Sequence, residues 1–465
     1  SDGHIYTLDV LPVDQDLTAT NLTERGYLDP DYVSAAEYRA IQRRISELPA
    51  DSNALIVSTG HLVDVYPAAD IAAIKTVGTS SADVYTFKNF TDREREIDLS
   101  TGAGDDIVMI SPDSDGTATL TKLDLNLGDG DDYVMVKTEM LGTTGDYRME
   151  GEDGVDRLKM DGENSNYATV TMIGGTGDDI IVGGDGPELV YGGVKDADPN
   201  VNTSSADDSG FDNIQTNGGD DTIYGGHELF LATYIDENGE LEASPIYQAS
   251  GLPFANYDEK GVPVDAGGAP IPLYEGPDPA RNYSLRNFHG DLIDGGDGSD
   301  VIHGEDGFDQ IVGGPGANTI AGGAGRDIID ARDGSGSADG GSENDIISWE
   351  FVDGDTNLVV EGGAGDADIL DIQIDDQRNT IDIKANGSSQ AVIEITSNIN
   401  GEKQTIALSS LEQLKVDTKA NADNITIGDL LPTSLETVDI EFGSAKVTEW
   451  QVDRDELGNH QVVPS

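Results

Sequence analysis

Four consecutive nonapeptides, GGDGSDVIH, GEDGFDQIV, GGPGANTIA and GGAGRDIID, run from Gly295 to Asp330. They follow G-G-x-G-x-D-x-U-x, where U is a bulky apolar residue, and their sixth positions are Asp300, Asp309, Asn318 and Asp327. Glycines at the first, second and fourth positions permit positive φ and close packing of successive turns. Such turns gather main-chain carbonyls around one point, and the sixth-position Asp adds carboxylate oxygens. Hard oxygen donors of this kind suit calcium at about 2.3–2.6 Å, and a nine-residue period of this form is a signature of a parallel β-roll with calcium in its turns. The eighth positions (Ile302, Ile311, Ile320, Ile329) fall on short strands and point inward to make the core. Two nonapeptides make one coil, so residues 18 apart stack. Asp309 should face Asp327, Asp300 should face Asn318, and Asp327 should lie near Asp345 of the decayed copy GGSENDIIS. Asn318 has lost a charge and is expected to be the weaker site.

On these residues the chain resembles the RTX (repeat-in-toxin, haemolysin-type calcium-binding) proteins, and looser copies extend the resemblance to roughly 102–370. The resemblance implies secretion by bacterial type I machinery and folding on meeting extracellular calcium. It does not imply an activity, because proteases, lipases, epimerases, toxins, adhesins and surface-layer proteins all carry the repeat.

A wider period precedes the nonapeptides. IDLSTGAGDDIVM, LDLNLGDGDDYVM, GEDGVDRLKM and GGTGDDIIV place Asp106, Asp132, Asp156 and Asp179 in the sixth position, at spacings of 26, 24 and 23. These spacings suit a wide β-helix coil with one calcium-type turn per rung. GGDGPELVY and NGGDDTIY add Glu188 and Asp221, and Asp291 opens the nonapeptide region. The expected metal ligands are thus Asp106, Asp132, Asp156, Asp179, Glu188, Asp221, Asp291, Asp300, Asp309, Asn318, Asp327 and Asp345. The pairs Asp105-Asp106, Asp131-Asp132, Asp178-Asp179 and Asp220-Asp221 fall in this register. That favours calcium ligation over the groove carboxylates of a polysaccharide lyase.

The 26 Lys and Arg against 90 Asp and Glu give a formal charge of −64. Self-repulsion opposes a compact state, and nucleic acid, which needs cationic surface, is excluded as a partner. A direct contact with bare anionic lipid is disfavoured too. Either a halophile-like acidic surface or a store of calcium ligands explains the excess, and the concentration of Asp in Gly-rich turns favours the second. With no cysteine, disulfides contribute nothing. The opening SDGHIYTLDV lacks the basic and apolar regions of a signal peptide, which fits a C-terminal secretion signal. No apolar run approaches the roughly 20 residues of a membrane span.

The pattern divides the chain into an α/β cap (1–95), a wide-rung solenoid (96–226), a Tyr/Pro-rich insertion (227–289), a nonapeptide β-roll (290–370) and an all-β region (371–465). In the cap, Ser34-Ala35-Ala36-Glu37 is a capping box with Val33 and Tyr38 as a staple. Ile41, Ile45 and Leu48 follow at helical spacing up to Pro49. Residues 54–58 and 61–66 read as strands, and 68–77 as a second helix. A solenoid needs such an atypical end to cover its core. Residues 194–216 read as a polar loop. The long insertion holds six Tyr or Phe rings, from Tyr234 to Tyr283, and seven prolines between Pro245 and Pro279. With a hairpin turn at Asp236-Glu237-Asn238-Gly239, it reads as a subdomain or binding arm. After Leu370, Asn386-Gly387 and Asn400-Gly401 signal hairpins. SLEQLKVD and SLETVDIE recur 24 residues apart, so the region is either further rungs without calcium or a sandwich-like cap.

Catalytic signatures are absent from the sequence: no H-E-x-x-H, no G-x-S-x-G, no Cys nucleophile and no phosphate loop. His227 and His289 bracket the insertion and could meet near Arg286 and Asp291 as a metal or acid–base site, or simply be residues at its base. His303 takes the outward ninth position, where exposure is the default. The expected fold is mainly β, a right-handed parallel β-helix/β-roll solenoid with an α/β N-terminal cap and an all-β C-terminal region. The expected function is that of a secreted, calcium-loaded structural protein that self-assembles into a surface layer, filament or matrix. Its expected partners are itself, with cell-surface polysaccharide or lipopolysaccharide as further candidates. A polysaccharide lyase or epimerase and a glycan-binding adhesin are the alternatives.

Overall fold

A computed structural model describes residues 4–112, 120–193, 212–227 and 290–441 with short breaks inside these ranges. Outside them it describes the strand segments 231–235, 241–245, 256–257, 263–264, 450–454 and 460–464. The chain forms two compact units, residues 1–203 with 212–221, and residues 204–211 with 222–465.

The first unit opens with β1 (Ile5–Pro12), α1 (Ala19–Glu24), α2 (Ala35–Glu47), β2 (Asn53–Ser58) and β3 (Val63–Pro67). Ser34 caps α2 with a reciprocal capping box to Glu37, as its sequence predicts. The helices bury Leu22, Ile41 and Ile45 against Leu11, Ile56 and Val65 of the antiparallel strands β1–β3, with Val33 and Tyr38 packed alongside. The short helix α1, capped by Thr18, is too brief for its periodicity to stand out in the sequence.

Two parallel sheets follow, one strand of each per rung. The first runs from β1 through β5 (Val84–Lys88), β7 (Ile107–Ser111), β9 (Tyr133–Lys137), β11 (Arg157–Asp161) and β13 (Ile180–Val182) to β15 (Asn213–Gln215). The second comprises β4 (Ala73–Thr79), β6 (Arg95–Ala103), β8 (Leu120–Asp129), β10 (Leu141–Asp153), β12 (Val170–Thr176) and β14 (Glu188–Tyr191). Alternate residues point inward and are fully buried, among them Tyr85, Phe87, Val108, Leu125, Val134 and Met149. Tyr133 pairs with Ile107 and Arg157, and Arg157 with Ile180, which are the 26-, 24- and 23-residue steps of the repeat.

The helix expected over 68–77 is not formed. Residues Ala68–Asp70 make one 3-10 turn and β4 begins at Ala73. Two causes act together. The buried Arg95 guanidinium donates to the carbonyls of Ala68 and Ile71, and lies over the Phe90 ring, 5.3 Å from its centroid. The Ala68 carbonyl also accepts the Ile71 amide and closes the single turn, while Ile74 gains a place in the core by pairing with Ile97. Tertiary pairing overrides the local pattern.

The second unit continues the same plan with a shorter coil. One sheet holds β21 (Leu292–Asp294), β23 (Gln310–Val312), β25 (Ile328–Asp330), β27 (Ile346–Glu350), β29 (Ile369–Gln373), β33 (Gln413–Asp417) and β35 (Thr437–Glu441). The other holds β16 (Thr222–His227), β22 (Val301–Asp306), β24 (Gly316–Ala324), β26 (Gly334–Ser342), β28 (Leu358–Ala364) and β32 (Lys403–Ser409). Gln310 pairs with Ile328 and Ile328 with Ile346, an 18-residue rung. The three-residue strands each bury one residue, Ile293, Ile311 and Ile329, and Ile302, Ile320 and Ile347 with Trp349 complete the core. After β29 the rungs continue, and Gln413 pairs with Thr437 at the 24-residue offset of the SLE repeats. Between them β30 (Asn379–Ala385) and β31 (Gln390–Ser397) form an antiparallel excursion joined to β32. The region beyond 371 is thus further rungs with a hairpin, rather than a sandwich. Within the insertion, the segments 231–235 and 241–245 pair antiparallel on either side of the expected turn. The turn itself, the polar loop up to residue 211, His289 and Arg286 lie outside the described residues, as does the His227 side chain.

Gly323 and Gly387 separate two reasons for glycine. Both have positive φ, +118° and +90°, but a Cβ on Gly323 would lie 1.9 Å from the Glu305 carbonyl oxygen, whereas one on Gly387 meets nothing. Gly323→Ala is expected to destabilise by well over about 1 kcal/mol and Gly387→Ala by only about 1 kcal/mol. Urea midpoints in calcium measure both.

Candidate metal centres along the rungs

The sixth-position carboxylates stand in columns. In the first unit, the Asp83 amide donates to Asp106 Oδ1 at 2.5 Å and the Asp106 amide to Asp132 at 2.6 Å. The column continues from Asp132 to Asp156, Asp156 to Asp179 and Asp179 to Asp212 at 2.8, 2.7 and 2.9 Å. In the second unit it runs Asp291–Asp309–Asp327–Asp345–Asp368, at 2.7, 3.0, 2.8 and 2.9 Å, and ends on Glu412. The opposite turn carries Glu188 over Asp221 at 2.8 Å in the first unit, and Asp300 over Asn318 at 2.9 Å in the second. The stacking expected for Asp309, Asp327, Asp345, Asp300 and Asn318 is therefore present.

All these side chains from Asp106 to Asp368 are buried. One oxygen of Asp106, Asp132, Asp156, Asp309, Asp327 and Asp345 accepts the amide of the residue before it in the column, and Glu188 Oε1 accepts the Tyr167 hydroxyl at 2.6 Å. The other, Oδ2 of Asp106, Asp132, Asp156, Asp309, Asp327 and Asp345 and Oε2 of Glu188, is buried with no donor. An unsatisfied buried acceptor costs about 1–3 kcal/mol, and more if charged. Burial pushes these acids up: Asp132 to about 8, Asp156 and Asp309 to about 7, Asp345 to about 8, and Asp327 and Glu188 to about 9. Each such carboxyl needs a proton or a cation.

The surroundings fit a hard cation. A Cβ built on Gly304 would lie 2.4 Å from Asp309 Oδ2 and 2.5 Å from the Gly322 carbonyl. The same pair of oxygens recurs at Gly322 (Asp327, Gly340) and Gly340 (Asp345, Gly362). First-position glycine is thus required for room, so that a carboxylate and the next rung's carbonyl can converge. Among the described residues, no three or more His, Cys, Asp or Glu cluster tightly enough to hold a metal alone. Calcium accepts main-chain carbonyls beside carboxylates, and the Gly322, Gly340 and Gly362 carbonyls converge here with the Asp oxygens. Glu152, Glu305 and Glu343 hold positive φ in these turns, and placing a non-glycine residue there carries strain.

Hydrogen bonds hold the side chains at two further positions. Asn318 Nδ2 donates to the carbonyls of Gly313 and Gly314 at 2.7 and 2.9 Å. At the head of the first column, Asp83 receives the Thr79 amide and hydroxyl, both at 3.0 Å, and the His4 amide at 2.9 Å.

Asp83, Asp212 and Asp368 were not expected from the glycine pattern. Asp83 follows GTSSA, Asp212 has no glycine run before it, and Asp368 sits one residue late in GGAGDADIL. The signal common to all is an Asp two residues before a buried apolar residue: Tyr85, Ile214 and Leu370. His303 is not exposed as its outward position suggests. It stacks on Tyr224, with ring centroids 5.0 Å apart, and burial lowers its pKa.

Two outcomes are expected. With calcium chelated, folded-state carboxyl pKa values of about 7–9 lie above the unfolded value near 4. The folded state then binds more protons than the unfolded state across that window, so stability falls as pH rises through it. Far-ultraviolet circular dichroism should accordingly show more calcium needed to restore the β-signal at pH 8 than at pH 5. Asn318→Asp, which buries a further carboxyl that costs about 1–3 kcal/mol when left without a partner, should raise the calcium concentration at which the β-signal appears and match the wild type in urea at saturating calcium.

A family model described as the RTX calcium-binding nonapeptide repeat matches residues 171–194, 207–227, 290–311, 303–338 and 312–347. No curated protein matches the chain. Asp83, Asp106, Asp132 and Asp156 lie outside the matched segments but stand in the same column as Asp179. The chain carries RTX repeats, and these repeats bind calcium ions.

Proposed function

We propose that this is a secreted structural protein that folds on extracellular calcium and self-assembles into a surface layer, filament or matrix. The observation that carries the reading is the carboxylate column repeated rung after rung, with a buried oxygen left without a donor at Asp106, Asp132, Asp156, Asp309, Asp327 and Asp345. Most of the described chain is thereby committed to an ion-stapled scaffold. In this reading calcium is held by Asp106, Asp132, Asp156, Asp179, Asp221, Asp291, Asp300, Asp309, Asp327 and Asp345, with Glu188 and turn carbonyls. Asn318 closes its rung by hydrogen bonds instead. When bound, calcium supplies the positive charge that lets these carboxylates ionise inside the fold.

Proteins with such repeats are typically secreted, and a chain of −64 charge stays expanded through self-repulsion where calcium is scarce. Where it is abundant, ligand binding becomes folding free energy. Parallel solenoid sheets also end in open edges that pair with further strands unless covered. No enzyme family matches, which leaves assembly as the simpler role.

Electron microscopy in a few millimolar calcium and in chelator tests the reading, alongside far-ultraviolet circular dichroism. Ordered arrays with calcium, and loss of both arrays and β-signal in chelator, are expected. Dispersed particles in calcium would remove the assembly role, and native dichroism in excess chelator would remove the calcium dependence.

A further inference from the structure

The two outer faces of the first unit carry opposite charge. On β5, β7, β9 and β11 the outward residues include Lys88, Lys137, Arg157 and Lys159 against the single carboxylate Asp161. Lys137 and Lys159 both pair with Asp161, so one acid serves two ammonium groups, with Glu139 of the following turn also in the field of Lys137. Beside Thr86 and Ser111, the rest of this face is apolar: Val84, Ile107 (37 % exposed), Met109, Tyr133 and Met135. In a chain of −64 net charge, such a face is the exception.

The outer face of β4, β6, β8 and β10 has the reverse arrangement. Lys122 lies between Glu96 and Asp146 on the neighbouring strands and pairs with Asp124 at 2.9 Å. Lys75 and Arg148 are paired in turn with Asp98 and Glu150, so acids outnumber cations. Inner rows of both sheets are buried in the core between them, which leaves these two faces to solvent.

Resting on the assembly role proposed above, we infer that the cationic apolar face of one copy stacks on the acidic face of the next, and that this is a lateral contact of the array. Both are faces of parallel sheets with the same strand spacing, about 4.8 Å, so rows of side chains can run in register. A carboxylate flanked by two lysines meets a lysine flanked by carboxylates. Contact between two different patches does not close on itself and generates open rows. Four strands of five residues cover roughly 300 Å² per copy, against about 800 Å² for a stable isolated pair. The contact is therefore weak singly and effective only when repeated, as in an array.

A charge exchange tests this on the full chain in a few millimolar calcium, with dichroism confirming each fold. Lys137→Glu with Lys159→Glu makes both faces acidic, and Glu96→Lys with Asp146→Lys makes both basic. Sedimentation and electron microscopy should show that each variant alone needs about tenfold more protein to assemble, while an equimolar mixture assembles like the wild type. Wild-type arrays with both variants assembling normally would overturn the contact and leave the assembly role intact. Folded variants that fail alone and also fail when mixed would overturn it as well. Absence of wild-type arrays would remove the assembly role itself. Binding of hyaluronan by the wild type, lost in the Lys137→Glu/Lys159→Glu variant while self-assembly is unchanged, would assign the face to an acidic glycan and overturn the self-contact.

Discussion

Everything in the solenoid depends on one hydrogen bond repeated along the stack, from the amide of each sixth-position Asp to the carboxylate of the next rung. It does three things at once. It extends the main-chain ladder into the turn, where a β-strand would otherwise end. It fixes which residue stands over which, since Asp106 can donate to Asp132 only if Ile107 lies beside Tyr133. It also draws the carboxyl out of water and leaves its second oxygen in need of a charge partner. Rigidity and ion dependence are thus two results of the same contact.

Glycine is the complement of that contact. At Gly304, Gly322 and Gly340 a side chain would fill the point where the carboxylate meets a carbonyl of the next rung. At Gly323 it would strike backbone. Where the chain departs from glycine and places Glu152, Glu305 or Glu343 at positive φ, it accepts strain and gains a carboxylate at the turn. Burial of a single Ile per three-residue strand is a modest core for an 18-residue rung. The wide rungs have aromatic and methionine side chains such as Tyr147 and Met149 inside.

Much of this was legible in the sequence because a strict period is a geometric statement. The 18-residue stacking of Asp309 on Asp327, the 26-, 24- and 23-residue rungs and the α2 capping box all follow from spacing alone. What escaped was decided by tertiary contacts. Residues 68–77 have a helical pattern, but Arg95 donates to the carbonyls of Ala68 and Ile71 and Ile97 takes Ile74 as its neighbour. Asp83, Asp212 and Asp368 escaped because the search followed glycine, whereas the fold requires only an Asp two residues before an inward side chain. The hydrogen bonds that the Asn318 amide donates to the Gly313 and Gly314 carbonyls were not legible either.

Asp83 gives the first column an end that is complete in itself. Its carboxylate is held by Thr79 and His4, while its own amide already reaches for Asp106. The starting phase of the coil is therefore written in covalent neighbours and hydrogen bonds, with no ion required. Each later rung inherits that phase as it docks, and an incoming ion secures an alignment instead of choosing one. A repeat this uniform could otherwise slip by a whole rung at little cost, and the self-satisfied first step is what removes that degeneracy.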